Sequence, residues 1–352
     1  MKILIFSVHP ENDNRISKHI STLIKNNYSV KYINTSYSKI KKKIPHGFIY
    51  KHFNIECHPK KNILVYCIIL LYFLFQLIIN LKYKHIHIHD NYLLPLTPFA
   101  KIFRMKVYYD KHEYYEKVNK VYYLYEKIFS VFIDKYVLVT EGQIDFVIKA
   151  KKQYILVPNY QSKNYYSKIN EDKNKIFTIT YLGSLMPYDR DIDSMLYIFS
   201  KLSSNIRIVF GGRYLPKEYY AVIEDIKKQN MNFIFKENLD YEEVAYYTKN
   251  SDVCLFLLCP DITKEISANK VYENLICNNL LIAYSGNKTI DKLAEEGVVK
   301  TFDREDNDKI VEFIFLLLHN PEILLEYRNK CKKVSDMYTW ESIEDRYVNL
   351  YK

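Results

Sequence analysis

Short apolar runs alternate with segments of helical periodicity along nearly the whole chain, and this alternation limits the possible folds more than any other feature. The runs predict strands in two series, first at 2–8, 29–34, 84–89, 106–109, 136–140 and 154–157, then at 177–182, 206–210, 233–235, 252–258 and 280–284. Strands that alternate with helices are typical of doubly wound parallel sheets. A chain of 352 residues is longer than one core usually supports, so we expect two α/β domains.

Charge is distributed unevenly along the chain. Residues 1–165 hold 26 Lys and Arg against 11 Asp and Glu, a net of +15, whereas the remainder holds 25 against 30, a net of −5. A basic first half indicates an anionic partner, and nucleic acid or an anionic membrane surface fits that sign. The sequence has no recognition motif with base-stacking aromatic residues at fixed spacing, so it favours the membrane over nucleic acid.

Residues 63–79 form the most apolar run and are flanked by Lys60, Lys61, Lys82 and Lys84. Their number, 17, lies at the lower limit for a transmembrane helix. A span here would put the strands at 2–8 and 84–89 on opposite sides of a bilayer, where they cannot share a sheet. We therefore expect a packed helix, with contact to the membrane interface left open.

The cysteines and the first eight residues indicate the cellular compartment of the protein. The six cysteines form no CxxC or Cys/His ligand spacing, and most lie in apolar runs, as buried thiols in a reducing compartment do. Residues 1–8 are too short and strand-like for a signal peptide. With the basic first half, these features predict a cytoplasmic protein without a metal site, peripheral at the inner face of the cell membrane.

Polar residues gather where the predicted strands end. They are His9, His89, Asp90, His112, Glu113, Gly183, Ser184, Gly211, Gly212, Glu265 and Glu273. Ligands of open α/β sheets bind outside the carboxyl ends of the strands. Each of these residues is a weak signal alone, but together they predict binding sites at these sheet edges.

Residues 264–274 carry the most informative of these groups. Glu265 and Glu273 lie eight positions apart, with Asn269 and Lys270 between them, at the start of a predicted helix. The N–H groups and positive dipole end of a helix start suit a phosphate, while carboxylates accept hydrogen bonds from hydroxyl groups. The alternative is a solvated helix face with a Lys270–Glu273 pair at (i, i+3). These residues alone leave both interpretations open.

Several motifs stand in the order found in retaining glycosyltransferases of the family-4 type. They are Glu265 and Glu273 as E-x7-E, 269–274 as an N-K-x-x-E variant, 87–90 as H-x-H-D, 107–113 as V-Y-D-x-H-E, 157–159 as I-P-N, 181–185 as Y-x-G-x-L, 250–253 as x-A-D-V, and Trp340-Glu341 as W-E. The chain therefore resembles this family over nearly its whole length. The resemblance implies a GT-B fold, with two doubly wound Rossmann-like domains facing across a cleft. Residues 1–160 would form the acceptor domain and 161–339 the donor domain, with the C-terminal helix at 340–352 packing back on the first.

The same resemblance implies an activity and residue roles. The activity is retaining, metal-independent transfer of a hexosyl or N-acetylhexosaminyl group from a UDP- or GDP-sugar, without a further cofactor. The acceptor would be a glycan or a polyprenyl-diphosphate-linked glycan of a bacterial cell-surface polysaccharide such as a capsule or O-antigen. Glu265 and His112 would act at the reacting sugar and Glu273 at the nucleotide ribose. The other implied residues are Gly183, Ser184, Arg190, Asn269 and Lys270 for the donor, and His9, His89 and Asp90 for the acceptor side.

Two departures from the family pattern affect the residues that would bind the diphosphate of the donor. The residues after the first strand, His9-Pro10-Glu11-Asn12, replace a glycine-rich turn, and Ser184 stands where the family has an arginine. Arg190 and Lys270 are therefore the candidates for neutralising the diphosphate. Two alternative functions remain: a GT-B sugar-nucleotide epimerase acting on the donor alone, and a non-catalytic GT-B scaffold subunit.

Overall fold

The chain forms two compact units, each built on a parallel sheet. The computed structural model describes residues 1–9, 13–36, 48–54, 62–112, 120–172, 176–259, 264 and 268–352. Unit 1 comprises Met1–Pro158 and Ile343–Lys352, and unit 2 comprises Asn159–Ser342.

Unit 1 contains a seven-stranded parallel sheet of order β3-β2-β1-β4-β5-β6-β7. Its elements are β1 (Lys2–Ser7), α1 (Asn14–Lys25), β2 (Ser29–Ser36), β3 (Ile49–Asn54), α2 (Ile63–Ile78), β4 (His85–Ile88), α3 (Thr97–Ile102), β5 (Lys106–Lys111), α4 (Lys120–Phe129), β6 (Lys135–Leu138), α5 (Ile144–Lys149) and β7 (Gln153–Leu156), with 3₁₀ turns at Asn91–Leu96, Ser130–Phe132 and Glu141–Gln143. The strand order reverses between β1 and β4, so their carboxyl ends flank the crevice where such sheets bind ligands.

Unit 2 contains a six-stranded parallel sheet of order β10-β9-β8-β11-β12-β13. Its elements are α6 (Lys163–Tyr166), β8 (Thr178–Ser184), α7 (Ile192–Lys201), β9 (Arg207–Arg213), α8 (Tyr219–Gln229), β10 (Phe233–Glu237), α9 (Tyr241–Lys249), β11 (Val253–Phe256), α10 (Asn269–Ile276), β12 (Leu280–Tyr284), α11 (Lys288–Glu295), β13 (Val299–Phe302), α12 (Asn307–His319), α13 (Pro321–Val334) and a 3₁₀ turn at Ser335–Tyr338. The last helix, α14 (Trp340–Asn349), begins in unit 2 and continues into unit 1 from Ile343. The switch point of the unit 2 sheet lies between β8 and β11.

Helix α2 is the apolar segment that the sequence marks at 63–79. Ile69, Phe73 and Leu77, at intervals of four, are buried against the sheet, as expected for a packed helix. Cys67 on the same helix is exposed, which corrects its interpretation as a buried thiol. Within the described part of the chain, no helix combines the length and hydrophobicity that crossing a membrane requires.

The last turn of α14 and the two residues after it close unit 1 through aromatic and histidine side chains. The Tyr347 ring stacks on His19 at 4.1 Å between centroids, and the Tyr351 hydroxyl hydrogen-bonds His87 Nδ1. The two tyrosine hydroxyls lie 3.0 Å apart. Burial lowers the pKa of His19 and of His87 well below the ordinary value, so both are neutral at neutral pH. The C-terminal segment therefore packs on a buried polar layer of unit 1.

The free energy of unfolding is expected to fall as the pH drops below about 6.5. His19, His87 and His112 titrate lower in the folded chain than in the unfolded one, so below that pH the unfolded chain binds more protons. Each such histidine contributes a slope of up to about 1.4 kcal/mol per pH unit. Denaturant titrations at a series of pH values measure the total slope.

His87→Asn tests the origin of this slope. Asn retains a polar group near the position of Nδ1 but does not titrate. The slope should therefore fall by the contribution of one histidine, up to about 1.4 kcal/mol per pH unit. The exposed His319→Asn is the matched control and should leave the slope unchanged. An unaltered slope in His87→Asn would contradict the assignment.

Candidate functional site

The carboxyl end of β8 and the start of α10 bring several of the predicted donor residues together in unit 2. A Cβ placed on Gly183 would lie 3.7 Å from Lys270 Cε and 3.6 Å from Tyr181 Oη. Gly183 is the penultimate residue of β8, at the switch point, and Lys270 is the second residue of α10. The small residue therefore leaves room for a ligand to approach both the strand end and the helix start.

Lys270 and Glu273 form the ion pair that the (i, i+3) spacing predicts. Lys270 Nζ lies 2.7 Å from Glu273 Oε2. The Glu273 side chain is 4% exposed and that of Lys270 is 18% exposed, so the alternative of a solvated helix face is wrong. A nearly buried carboxylate beside a cation is a costly arrangement that is common in functional sites.

Arg190 lies in the same region, held by Tyr181. Its Nε donates to Tyr181 Oη at 3.0 Å, and Tyr181 Oη in turn donates to the Ser184 carbonyl at 2.5 Å. Arg190 also pairs with Asp189 at 2.8 Å. Burial raises the pKa of Tyr181, which keeps its hydroxyl protonated as a donor. Tyr181 thus connects Arg190 to the backbone of Ser184.

The first turn of α10 supplies backbone donors. Its N-cap residue, Ala268, makes no side-chain cap, and Asn269 is the first helical residue. The Val271 N–H donates to the Ala268 carbonyl at 3.2 Å, which leaves the N–H groups of Asn269 and Lys270 to face an anion, and the helix dipole adds to the attraction. Glu265, the first carboxylate of the predicted pair, and Glu113 lie outside the described residues.

Gly211 and Gly212 bring β9 close to its neighbours. A Cβ on Gly212 would lie 1.6 Å from the Gly183 carbonyl oxygen, and one on Gly211 would lie 2.6 Å from the Lys236 oxygen. Side chains do not fit at either position. These glycines therefore fix the backbone beside the Gly183 strand end, a role that is structural rather than chemical.

In unit 1, His9 and Asp90 meet at the carboxyl ends of β1 and β4. The Asp90 carboxylate accepts hydrogen bonds from Ser7 Oγ at 3.0 Å and the Val8 N–H at 2.7 Å, and its second oxygen lies 3.1 Å from His9 Nε2. The rings of His9 and His112 lie 4.9 Å apart. The structure therefore brings His9, Asp90 and His112 together at the unit 1 switch point.

Asp110 is the anionic centre beneath these residues. Arg15 donates to its two oxygens from Nε and Nη2, both at 2.9 Å, and His89 Nδ1 lies 3.3 Å away. Burial alone would raise the pKa of Asp110, but Arg15 and the neighbouring histidines hold it well below the usual range. The fully buried carboxylate is therefore ionised.

His112 lies at the solvent side of this cluster. Burial lowers the pKa of His112 to about 4, against the opposing attraction of Asp110, whose Oδ2 lies 3.7 Å from Nε2. A neutral imidazole both donates and accepts a hydrogen bond. His112 can therefore contact a polar ligand without carrying a charge near neutral pH.

Sequence reasoning did not identify Arg15, His19 or Asp110 as site-forming residues. A signal was present, because Arg15 and His19 lie at (i, i+4) on the apolar face of α1, where a solvated pair is not expected. Their shared partner Asp110 is 95 residues from Arg15 in the chain, and no local pattern indicates that pairing.

The same group contains side chains that can ligate a metal ion. Among the described residues, ligand atoms of His19, His89 and Asp110 lie within 4.8 Å of one another. Arg15 already occupies both oxygens of Asp110, and its charge opposes a cation there. We therefore interpret the group as a hydrogen-bonded cluster.

Two other motif residues serve the fold of unit 2. Asp252 accepts from the Thr178 N–H at 2.8 Å and pairs with Arg328, which ties β8 and β11 to α13. Glu341 accepts from Ser162 Oγ at 2.6 Å and from the N–H groups that begin α6. These contacts hold the segment that follows the unit boundary.

Comparison with known proteins supports a fold and not a family. No family model matches the sequence, and no curated protein is significantly similar to it. Solved structures do match. Sucrose-phosphate synthase from Thermosynechococcus elongatus is 14% identical, with 100% of this chain and 98% of that chain covered at a TM-score of 0.74.

Two further structures match over the same extent. Anabaena HepE in complex with UDP-glucose is 10% identical, with coverage of 100% and 99% and a TM-score of 0.73. A glycosyltransferase from Rickettsia africae is 12% identical, with coverage of 100% and 97% and a TM-score of 0.68. The fold is GT-B. The fold prediction is confirmed, including the GT-B arrangement in which the C-terminal segment belongs to the first unit.

Proposed function

We propose that this GT-B chain is a glycosyltransferase that uses a nucleotide-diphosphate sugar. The observation that carries the proposal is the pairing of Lys270 with the buried Glu273 at the start of α10, beside Gly183 at the unit 2 switch point. A cation and free N–H groups suit a diphosphate, and a buried carboxylate suits a vicinal diol. The UDP-glucose held by the structurally similar HepE supports this donor class.

Different residues bind different parts of the donor in this proposal. The α10 N–H groups, Lys270 Nζ and Arg190 neutralise the diphosphate as negative charge develops on the leaving group. Glu273 accepts hydrogen bonds from the ribose hydroxyls, and Glu265 accepts them from the sugar hydroxyls. Fixed donors and cations replace a metal ion in this role, and we propose transfer with retention.

The unit 1 cluster serves the acceptor side in this proposal. His112 is assigned to the reacting sugar as a neutral hydrogen-bonding group, because its pKa lies at about 4. His9, His89 and Asp90 shape the acceptor site around it. We propose a glycan or polyprenyl-diphosphate-linked glycan of cell-surface polysaccharide biosynthesis as the acceptor.

Glu265→Ala is expected to lower donor turnover by about 100-fold or more, because it removes a carboxylate that binds sugar hydroxyls in the transition state. Release of UDP or GDP from a panel of nucleotide sugars, with and without a glycan acceptor, measures the turnover. The exposed Glu295→Ala is the matched carboxylate control in unit 2 and should retain full activity.

Full activity of Glu265→Ala would show that the donor site is assigned wrongly. Conversion of the donor sugar without acceptor would instead indicate an epimerase. Binding of UDP or GDP without any turnover would indicate a scaffold subunit.

A further inference from the structure

Helix α2 presents an apolar stripe to solvent on the side away from the sheet. Leu64, Ile68, Leu71 and Phe75 follow one another at intervals of three or four and are between 52% and 70% exposed. The stripe extends over about 17 Å at the α-helical rise. None of the sixteen residues of α2 is charged. An exposed apolar stripe of this length marks an interaction surface.

Helix α4 extends this surface. The hydroxyls of Tyr66 on α2 and Tyr125 on α4 lie 3.0 Å apart, so the two helices are neighbours on unit 1. Leu124 and Ile128, one turn apart on α4, are each 57% exposed. We call Leu64, Ile68, Leu71, Phe75, Leu124 and Ile128 together the apolar face.

The exposed charges on the segments that carry the apolar face have one sign. Within the described residues 62–112 the carboxylates are Asp90 and Asp110, and both are buried. The cations Lys82, Lys84, Arg104 and Lys106 of that range are exposed. On α4, Glu126 is buried in a pair with Lys111, whereas Lys120 and Lys127 are exposed. The surface of these segments is therefore apolar and basic; Asp134, beyond the end of α4 and 35% exposed, is paired with Lys101 at 2.6 Å.

We propose that the apolar face docks on an anionic lipid bilayer, with α2 and α4 lying in the plane of the membrane. Apolar side chains then enter the boundary between headgroups and acyl chains, while the lysines and Arg104 meet the anionic headgroups. A bilayer fits better than a protein partner, because the exposed charges of these segments are all positive and a bilayer of anionic lipids has a uniformly negative surface. The inner side of α2 stays packed on the sheet through Phe73 and Leu77, so the helix lies on the membrane. This docking goes beyond the proposed glycosyl transfer and does not depend on it.

Flotation with lipid vesicles tests the docking. The full chain is expected to float with vesicles of phosphatidylcholine containing about 30% phosphatidylglycerol, and less with phosphatidylcholine alone. The triple variant Leu64→Asp/Leu71→Asp/Phe75→Asp should lower the bound fraction about tenfold or more. Met231→Asp, at an exposed apolar residue of unit 2, is the matched control and should bind within about twofold of wild type.

Two further measurements keep the test decisive. All three substituted side chains are exposed, so the thermal unfolding of the triple variant should match that of wild type. A nitroxide on the exposed Cys67, in a Cys57→Ser background, should gain contact with dissolved oxygen when vesicles are added. A nitroxide at Met231→Cys in a background with Cys57 and Cys67 both changed to Ser should show no such gain.

Three outcomes overturn the proposal. They are the absence of wild-type flotation at low salt, undiminished flotation of the triple variant, and a wild-type dimer that the triple variant dissociates. The last would assign the apolar face to a second copy of the chain. Donor turnover without acceptor is measured separately on the same variants, so failure of docking is distinguishable from failure of the proposed function.

Discussion

Lys270→Met is expected to lower nucleotide-sugar turnover by about 100- to 1,000-fold, as loss of one preorganised charge at a leaving group does. UDP or GDP binding, measured by calorimetry, should weaken about tenfold or more. Lys270 Nζ lies next to the buried Glu273 and beside the Gly183 strand end, where the diphosphate is proposed to bind. The unbranched Met side chain matches Lys as far as Cε, the atom nearest Gly183, and removes the charge, so packing around Gly183 is preserved.

The substitution also leaves the Glu273 carboxylate buried without its cation. Stability should therefore fall by about 1–3 kcal/mol, as for an unsatisfied buried group. Adding Glu273→Gln removes that charge, so the double variant should recover most of the stability and none of the turnover. If the double variant regained activity as well, the loss in Lys270→Met would be one of folding, and the assignment of Lys270 to the diphosphate would be wrong.

Gly212→Ala is expected to destabilise unit 2 by about 3 kcal/mol or more, because the new Cβ overlaps a backbone atom that has no room to move. The overlapping atom is the Gly183 carbonyl oxygen, 1.6 Å away, on the neighbouring strand β8. Relief requires the two paired strands to separate at the edge where the donor site lies. Denaturant unfolding with a probe in unit 2 measures the change.

Gly183→Ala is the matched control for that substitution. The nearest atoms to its Cβ lie at 3.6–3.8 Å, which is ordinary van der Waals contact, so stability should change by less than about 1 kcal/mol. Its methyl group would nonetheless stand against Lys270 Cε, and donor binding should weaken. Equal stability losses in the two variants would show that the close approach of β8 and β9 relaxes readily.

Every central strand of the two described sheets could be predicted from the sequence, whereas two of their four edge strands could not. The β1 residues Ile3–Phe6 are fully buried, so the whole run is apolar and its boundary is plain. The edge strand β3 reads Ile-Tyr-Lys-His-Phe-Asn, with Ile49 half exposed, and was not predicted. Edge strand β13 and helix α11 were missed as well. A strand with one neighbour buries less surface, so its sequence carries a weaker pattern.

Prolines explain the main difference in helix boundaries. The sequence predicts one helix over residues 94–103, but the chain forms a 3₁₀ turn over Asn91–Leu96, followed by α3. Pro95 lies inside the turn and Pro98 in the first turn of α3. Proline lacks an N–H donor and restricts the preceding residue, so a continuous α-helix is interrupted here.

The candidate donor site could be predicted where its residues are close in sequence. Asn269, Lys270 and Glu273 lie within two turns of one helix, and strand–helix alternation places that helix at a sheet edge. The pairing of Arg190 with Tyr181 and of Arg15 with Asp110 depends on how strands and helices pack. Pairing between residues far apart in the chain leaves no local pattern. The sequence therefore indicates single residues but not the residues that they contact.

The chain returns to unit 1 after it has formed unit 2, and this return determines which unit completes its folding first during synthesis. Unit 2 is one continuous stretch, Asn159–Ser342, whereas unit 1 needs Ile343–Lys352 to cover His19 and His87 with Tyr347 and Tyr351. Ribosomes make the chain from its amino end, and domains fold as their residues emerge. Unit 1, whose synthesis begins before that of unit 2, is therefore completed after it, and its histidine layer stays uncovered until Ile343–Lys352 have been made.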